Sequence, residues 1–253
     1  MSQPSSVTLS INNNIGTIEF HHPKGNSLPG KLLREMATTI TEAGEKEGVR
    51  VIVIKSSGEG AFCAGASFDE LIAIEDFETG KNFFMGFALV LNAMRRCPKL
   101  IIVRVHGKTV GGGVGIASAG DYTFAKEGAS VKLSELALGI GPFVVGPAVE
   151  RKVGKSAFAA LSIDATQWHS SAWAEQKSLY NRVFSTTEEL DSAVEELASQ
   201  LAKSSPDAMA DLKSVLWKET ENWEELLEQR AEISGRLVLS DYTKNFIKKF
   251  KNS

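Results

Sequence analysis

Two glycine-rich stretches hold the residues that could do chemistry: Ala61-Phe62-Cys63-Ala64-Gly65-Ala66, and Val105-His106-Gly107 leading into Gly111-Gly112-Gly113-Val114-Gly115. Glycine lets a backbone approach a ligand closely, and a pair of N–H groups near a helix start suits an oxygen that becomes negative during reaction. Two such turns held side by side would aim two amides at one point, which is an oxyanion hole in outline.

The elements that must hold those turns are legible around them. The first turn follows Val51-Ile52-Val53-Ile54 and the second follows Leu100-Ile101-Ile102-Val103, both reading as parallel strands buried on two faces. Val7–Ile11 and Ile15–Phe20, separated by Asn12-Asn13-Asn14, predict an opening hairpin. His22–Ser27 reads as loop. Pro29 to Gly48 carries Leu32, Leu33, Met36, Ile40 and Ala43 at helical spacing, and residues 69–97 are helical in pattern with Phe77, Phe83, Phe84, Met85, Phe87 and Leu91. From Thr187 onward the composition turns to charged helices. Strands alternating with helices predict an α/β core with parallel pairing.

The order Ala-Phe-Cys-Ala-Gly-Ala, then His-Gly-x-x-x-Gly-Gly-Gly, then Leu133-Ser134-Glu135 with Leu138-Gly139-Ile140-Gly141-Pro142, resembles the crotonase superfamily, the enoyl-CoA hydratase/isomerase family. The resemblance implies an α/β fold with a crotonase-like ββα spiral core in residues 1–195, carrying a CoA-thioester site, and a helical C-terminal region in 196–253 used for trimerisation. It also implies an acyl-CoA thioester substrate and a homotrimer or dimer of trimers. Coenzyme A would belong to the substrate, and no separate cofactor is implied. The bulky residues of 69–97 would wall the acyl pocket as well as pack the core.

By the same resemblance, the oxyanion hole falls on the N–H groups of Ala66 and Gly112, and the proton carrier on Glu135. The apolar context of Glu135, Val131 to Ile140, should raise its affinity for a proton. Hydratases of the family commonly use a second glutamate just after the glycine triplet, and here that position is Gly115. One carboxylate suffices to move a proton between carbons, so the expectation is enoyl-CoA isomerase-type double-bond migration. Two alternatives stay open. One is an enoyl-CoA hydratase, with Asp69, Glu70, Ser134 or His106 activating water; the other is a non-catalytic CoA-binding or scaffold homologue. For the CoA moiety the resemblance points to Lys24, to Ala64, Gly65 and Ala66, to Gly111 and Gly112, and to Phe246 and Lys249 in the tail.

Bulk properties narrow the classes. A net charge of −3 gives no basic footprint for nucleic acid. Two cysteines, Cys63 and Cys97, beside apolar segments suggest packed, reduced thiols rather than a disulfide framework. Met1–Ser6 lacks the pattern of a secretory leader and no segment suits a membrane span, so a cytoplasmic protein is expected. The four histidines show no metal-ligand spacing, and His106 and Asp121 read as structural residues.

Overall fold

A computed structural model describes residues 4–251. The outermost residues of the two ends discussed above, 1–3 and 252–253, lie outside it. The chain runs β1 (Ser6–Asn12), β2 (Ile15–His21), α1 (Gly30–Glu45), β3 (Val51–Ser56), α2 (Phe68–Leu71), α3 (Phe77–Arg96), β4 (Leu100–Val105), β5 (Thr109–Val110), α4 (Gly112–Ala119), β6 (Tyr122–Lys126) and β7 (Val131–Lys132). It continues through α5 (Gly146–Ile163), α6 (Ser171–Gln176), β8 (Arg182–Phe184), α7 (Thr187–Ala202), α8 (Pro206–Leu216), α9 (Trp223–Leu237) and α10 (Asp241–Lys251).

Strands order as β1-β2-β3-β4-β6-β8 in the main sheet, and β5-β7 form a small second sheet. The β1-β2 pair is the antiparallel hairpin read from the sequence, with Thr8 opposite Glu19. Every later pairing between these strands is parallel, placing Ile18 beside Ile54, Val53 beside Ile102 and Val103 beside Thr123. Burial on both faces of β3 and β4 has a direct cause. Ile52, Ile54, Ile101 and Val103 pack with Leu33, Met36 and Leu91 of α1 and α3 on one side. Val51, Val53 and Ile102 meet Leu190, Val194 and Ala198 of α7 on the other. The expected division after residue 195 therefore falls inside α7, a helix that covers the sheet.

The helical reading of 69–97 is corrected by the structure. A short α2, capped by Ser67, ends at Leu71, and α3 begins afresh after Asp76, whose carboxylate accepts from Thr79 N at 2.8 Å and Thr79 Oγ1 at 2.7 Å. Such a cap gives the chain a hydrogen-bonded restart that apolar periodicity does not register. Phe77, at the start of α3, is 39% exposed and belongs to neither core nor pocket.

The charged C-terminal helices close onto the same chain. The α3–α9 crossing is tight at Gly80 and Gly235, where a Cβ on Gly235 would stand 2.7 Å from Lys81 N. Flanking it, Lys81 pairs with Glu228 at 2.7 Å and Glu232 at 2.8 Å. Asp121, read as a backbone anchor, accepts from Ile101 N at 2.7 Å. It also takes Lys213 Nζ at 2.6 Å and Trp217 Nε1 at 2.8 Å, which fastens α8 and its end to the sheet. No helix among the described residues is long and apolar enough to cross a membrane.

Candidate active site

The two glycine turns meet because short backbone ladders lock them together. Val110 N donates to Cys63 O at 2.9 Å, Leu28 N to Gly65 O at 2.8 Å, and Ala64 N to Gly25 O at 3.1 Å. Gly65 has φ +90°, and a Cβ there would lie 3.2 Å from Val110 O and 4.0 Å from Gly112 N, so only glycine permits this approach without strain. Among the described residues, neither Ala66 N nor Gly112 N has a protein acceptor. Gly112 opens α4, which carries neither an acidic first turn nor a side-chain cap, so its N-terminal potential is left for a ligand.

Asn26, which sequence reasoning passed over as loop, holds the first turn in place. Its Nδ2 donates to Ser57 O and Ala61 O, each at 2.9 Å, while Oδ1 accepts from His22 N at 3.0 Å. The signal was the pair Gly25-Asn26, since Asn26 adopts φ +55°, a conformation that asparagine tolerates.

Ala66 and Gly112 line a cavity of about 410 Å³ together with Ala64, Gly65, Gly111 and Glu135. Glu135 follows β7 in a turn closed by Leu138 N and Ile140 N, which donate to its carbonyl at 3.1 and 3.0 Å. Its carboxylate rests on the Gly111 backbone, where a Cβ would stand 2.9 Å from Oε1. Glu135 keeps partial exposure as a residue, yet its Oε2 is inaccessible and has no hydrogen-bond partner. Burial pushes its pKa up from 4.5 to about 7, because the hydration lost by the charged form outweighs the opposing hydrogen bond from its own backbone.

Apolar walls come from Phe83, Phe84 and Phe87 of α3, from Phe143 and Val145, and from Phe246 of α10. Phe83, Phe84 and Phe87 thus serve core and cavity at once, and Phe246 arrives from the tail of the same chain. Lys24 and Lys249 do not line this cavity. Lys24 pairs with Asp69 on the surface, one residue from the Gly25 carbonyl that holds Ala64, and Lys249 lies exposed on α10.

Glu135 is the only carboxylate among the described residues that line the cavity. Gly115 is buried in α4, and a Cβ there would meet Val145 Cγ1 at 2.6 Å, so Val145 closes the space a longer side chain would need. Of the four residues considered for activating water, only Ser134 reaches the cavity. Asp69 faces Lys24, and Glu70 accepts from Gly30 N at 2.7 Å. His106 is buried with both ring nitrogens unpartnered, and burial, aided by Arg104, pushes its pKa down to about 4. Both thiols are free and buried, and burial raises the Cys63 pKa to about 12, leaving it unreactive.

The profile of the family described as Enoyl-CoA hydratase/isomerase matches residues 10–251. A carnitinyl-CoA dehydratase of Proteus mirabilis is 31% identical over 224 residues, covering 85% of this chain and 80% of the relative. A protein of Bacillus subtilis described as a probable enoyl-CoA hydratase is 27% identical, covering 97% and 95%. The crystal structure of an enoyl-CoA hydratase from Bacillus halodurans superposes with a TM-score of 0.89 at 19% identity, over 96% of this chain and 99% of that one, and so shares its fold. With these agreements spanning nearly its whole length, the chain belongs to the enoyl-CoA hydratase/isomerase family, the crotonase superfamily.

Proposed function

We propose that this protein moves a double bond within an enoyl-CoA thioester, using Glu135 as the single proton carrier. The observation that carries the reading is the solitary carboxylate, with Val145 filling the space beside Gly115. The thioester oxygen would take N–H bonds from Ala66 and Gly112. Glu135 would remove a proton from C2, and the C–H electron pair would pass through the C1–C2 bond onto the oxygen. As the oxyanion collapses, C2=C3 forms and the C3=C4 pair takes the proton back from Glu135 at C4. Two preorganised donors support such an enolate, each contributing on the order of 3 kcal/mol to the transition state. A carboxyl poised near pH 7 is suited to take the proton and return it.

A hydratase reading is favoured by the names of the relatives. It needs a second group to activate water, and Ser134 has no base beside it in the cavity lining other than Glu135 itself.

Product analysis separates the two. Incubation with 3-enoyl-CoA should yield 2-enoyl-CoA, with no 3-hydroxyacyl-CoA from either enoyl substrate on chromatography. Accumulation of a 3-hydroxy product would replace the isomerase reading with hydration. The same logic gives a constructive test: Gly115→Glu combined with Val145→Gly removes both side-chain atoms that a Cβ at 115 would strike, at 2.6 and 2.8 Å, and the second carboxylate should gain hydration that wild type lacks.

A further inference from the structure

Lys132, on β7, is the only cationic residue among the described residues lining the cavity. No ion pair among the described residues includes it or Lys108. Instead the two ammonium groups share one indole, with Lys132 Nζ 4.7 Å and Lys108 Nζ 5.0 Å from the Trp168 ring centroid. A cation is attracted to an aromatic face, but two like charges on one ring leave positive potential that no carboxylate among the described residues compensates. By contrast, Lys81 pairs with Glu228 and Glu232, and Lys213 with Asp121.

Backbone pairing separates this pair of lysines from the loop of Lys24. Leu28 bridges Ala66, Cys63 bridges Thr109, Thr109 pairs with Val131, and Val131 bridges His169. Successive ranks thus run from the residues just after Lys24, past the amide of Ala66, to Lys132 and the Trp168 loop. At about 4.8 Å per rank, Val131 stands roughly 10 Å from Cys63. The lining also includes the polar residues Lys132, Ser134 and Thr166, in contrast to the phenylalanines of α3. A purely hydrocarbon acyl chain gives that polar arc nothing to bind.

The geometry points to an anion subsite at Lys132, with Lys108 across Trp168, that receives the distal carboxylate of a dicarboxylic acyl-CoA thioester. This rests on the acyl-CoA reading above, with the CoA portion entering over Lys24 and Ala64. A carboxylate beside Lys132 Nζ would give that cavity-lining ammonium the counter-charge it lacks and form a charge-assisted hydrogen bond, with Lys108 adding positive potential from the Trp168 ring.

The test measures equilibrium binding by calorimetry of adipoyl-CoA, hexanoyl-CoA and free CoA to wild type, Lys132→Gln and Lys108→Gln. The two acyl thioesters differ only by a terminal carboxylate in place of a methyl group. Wild type should bind adipoyl-CoA about tenfold more tightly than hexanoyl-CoA. Lys132→Gln should abolish that preference, and Lys108→Gln should narrow it. Equal affinity of wild type for the two thioesters overturns the subsite. So does a loss of free-CoA affinity in Lys132→Gln as large as the loss for adipoyl-CoA, because the lysine then holds a phosphate of CoA. Turnover of hex-3-enedioyl-CoA is scored separately. No turnover with the binding preference intact contradicts the isomerase reading while supporting the subsite, and isomerisation without the preference does the reverse.

Discussion

Glu135 carries a conflict between stability and chemistry. Its folded pKa of about 7 lies above the ordinary 4.5, so the native state binds a proton that the unfolded chain releases. The stability this confers is fully present below about pH 4.5 and is lost as pH rises through 7. Glu135→Gln removes the charge and therefore that loss. Its unfolding free energy should exceed that of wild type by up to about 3 kcal/mol at pH 8, with the difference shrinking toward pH 5, as read from urea titrations at each pH. Activity follows the opposite limb. As a base Glu135 must be ionised, so kcat/KM for 3-enoyl-CoA should rise with pH through about 7 and then level off. A profile that falls across that range would mean the protonated form is the one required. The raised pKa was legible from the apolar run around Glu135. The steric reason for Gly115 was not, because Val145 stands thirty positions away and nothing near Gly115 in sequence reports its approach.

Helix ends and helix crossings set how accurately the site is held. At Gly112 a Cβ would strike Phe87 Cε1 at 2.0 Å, so α3 and the start of α4 are in direct contact at the oxyanion amide. Gly112→Ala should lower kcat by about 100-fold or more by moving that N–H, with near-UV circular dichroism checking that the variant remains folded. At the α3–α9 crossing, Gly235→Ala forces a Cβ against backbone and should cost about 1–3 kcal/mol in chemical denaturation. Periodicity located the apolar faces of α1 and α3, because helical burial repeats along the sequence, while α7 showed only as charged composition. The same periodicity ran α2 into α3, because a cap such as Asp76 acts through one hydrogen-bonded residue and leaves the apolar pattern around it intact.

Across the whole molecule, the cavity is assembled from segments between Ala64 and Phe246, so its integrity depends on the tail remaining fastened to the sheet. Asp121 is one such fastening, beside the Lys81 pairs that hold α9. It and Lys213 are 6% and 3% exposed at their side chains, and Asp121→Ala would leave the ammonium of Lys213 buried without its carboxylate, with only the Trp217 ring beside it. The expected loss is about 3–5 kcal/mol, seen as a lower urea midpoint at unchanged m-value. The sequence displayed the turns and the carboxylate because backbone chemistry at a glycine needs local motifs. It did not display the walls at Phe143 and Val145, which tertiary packing brings in without a local motif.

The most direct measurement of the central claim is proton NMR of 3-enoyl-CoA in D₂O with wild type and Glu135→Gln. Single-carboxylate enolate chemistry predicts migration of the double bond with exchange at C2 and deuterium delivered to C4, no 3-hydroxy resonance, and loss of both events in the variant. Exchange and migration that persist in Glu135→Gln, or a 3-hydroxyacyl product from wild type, would contradict the account.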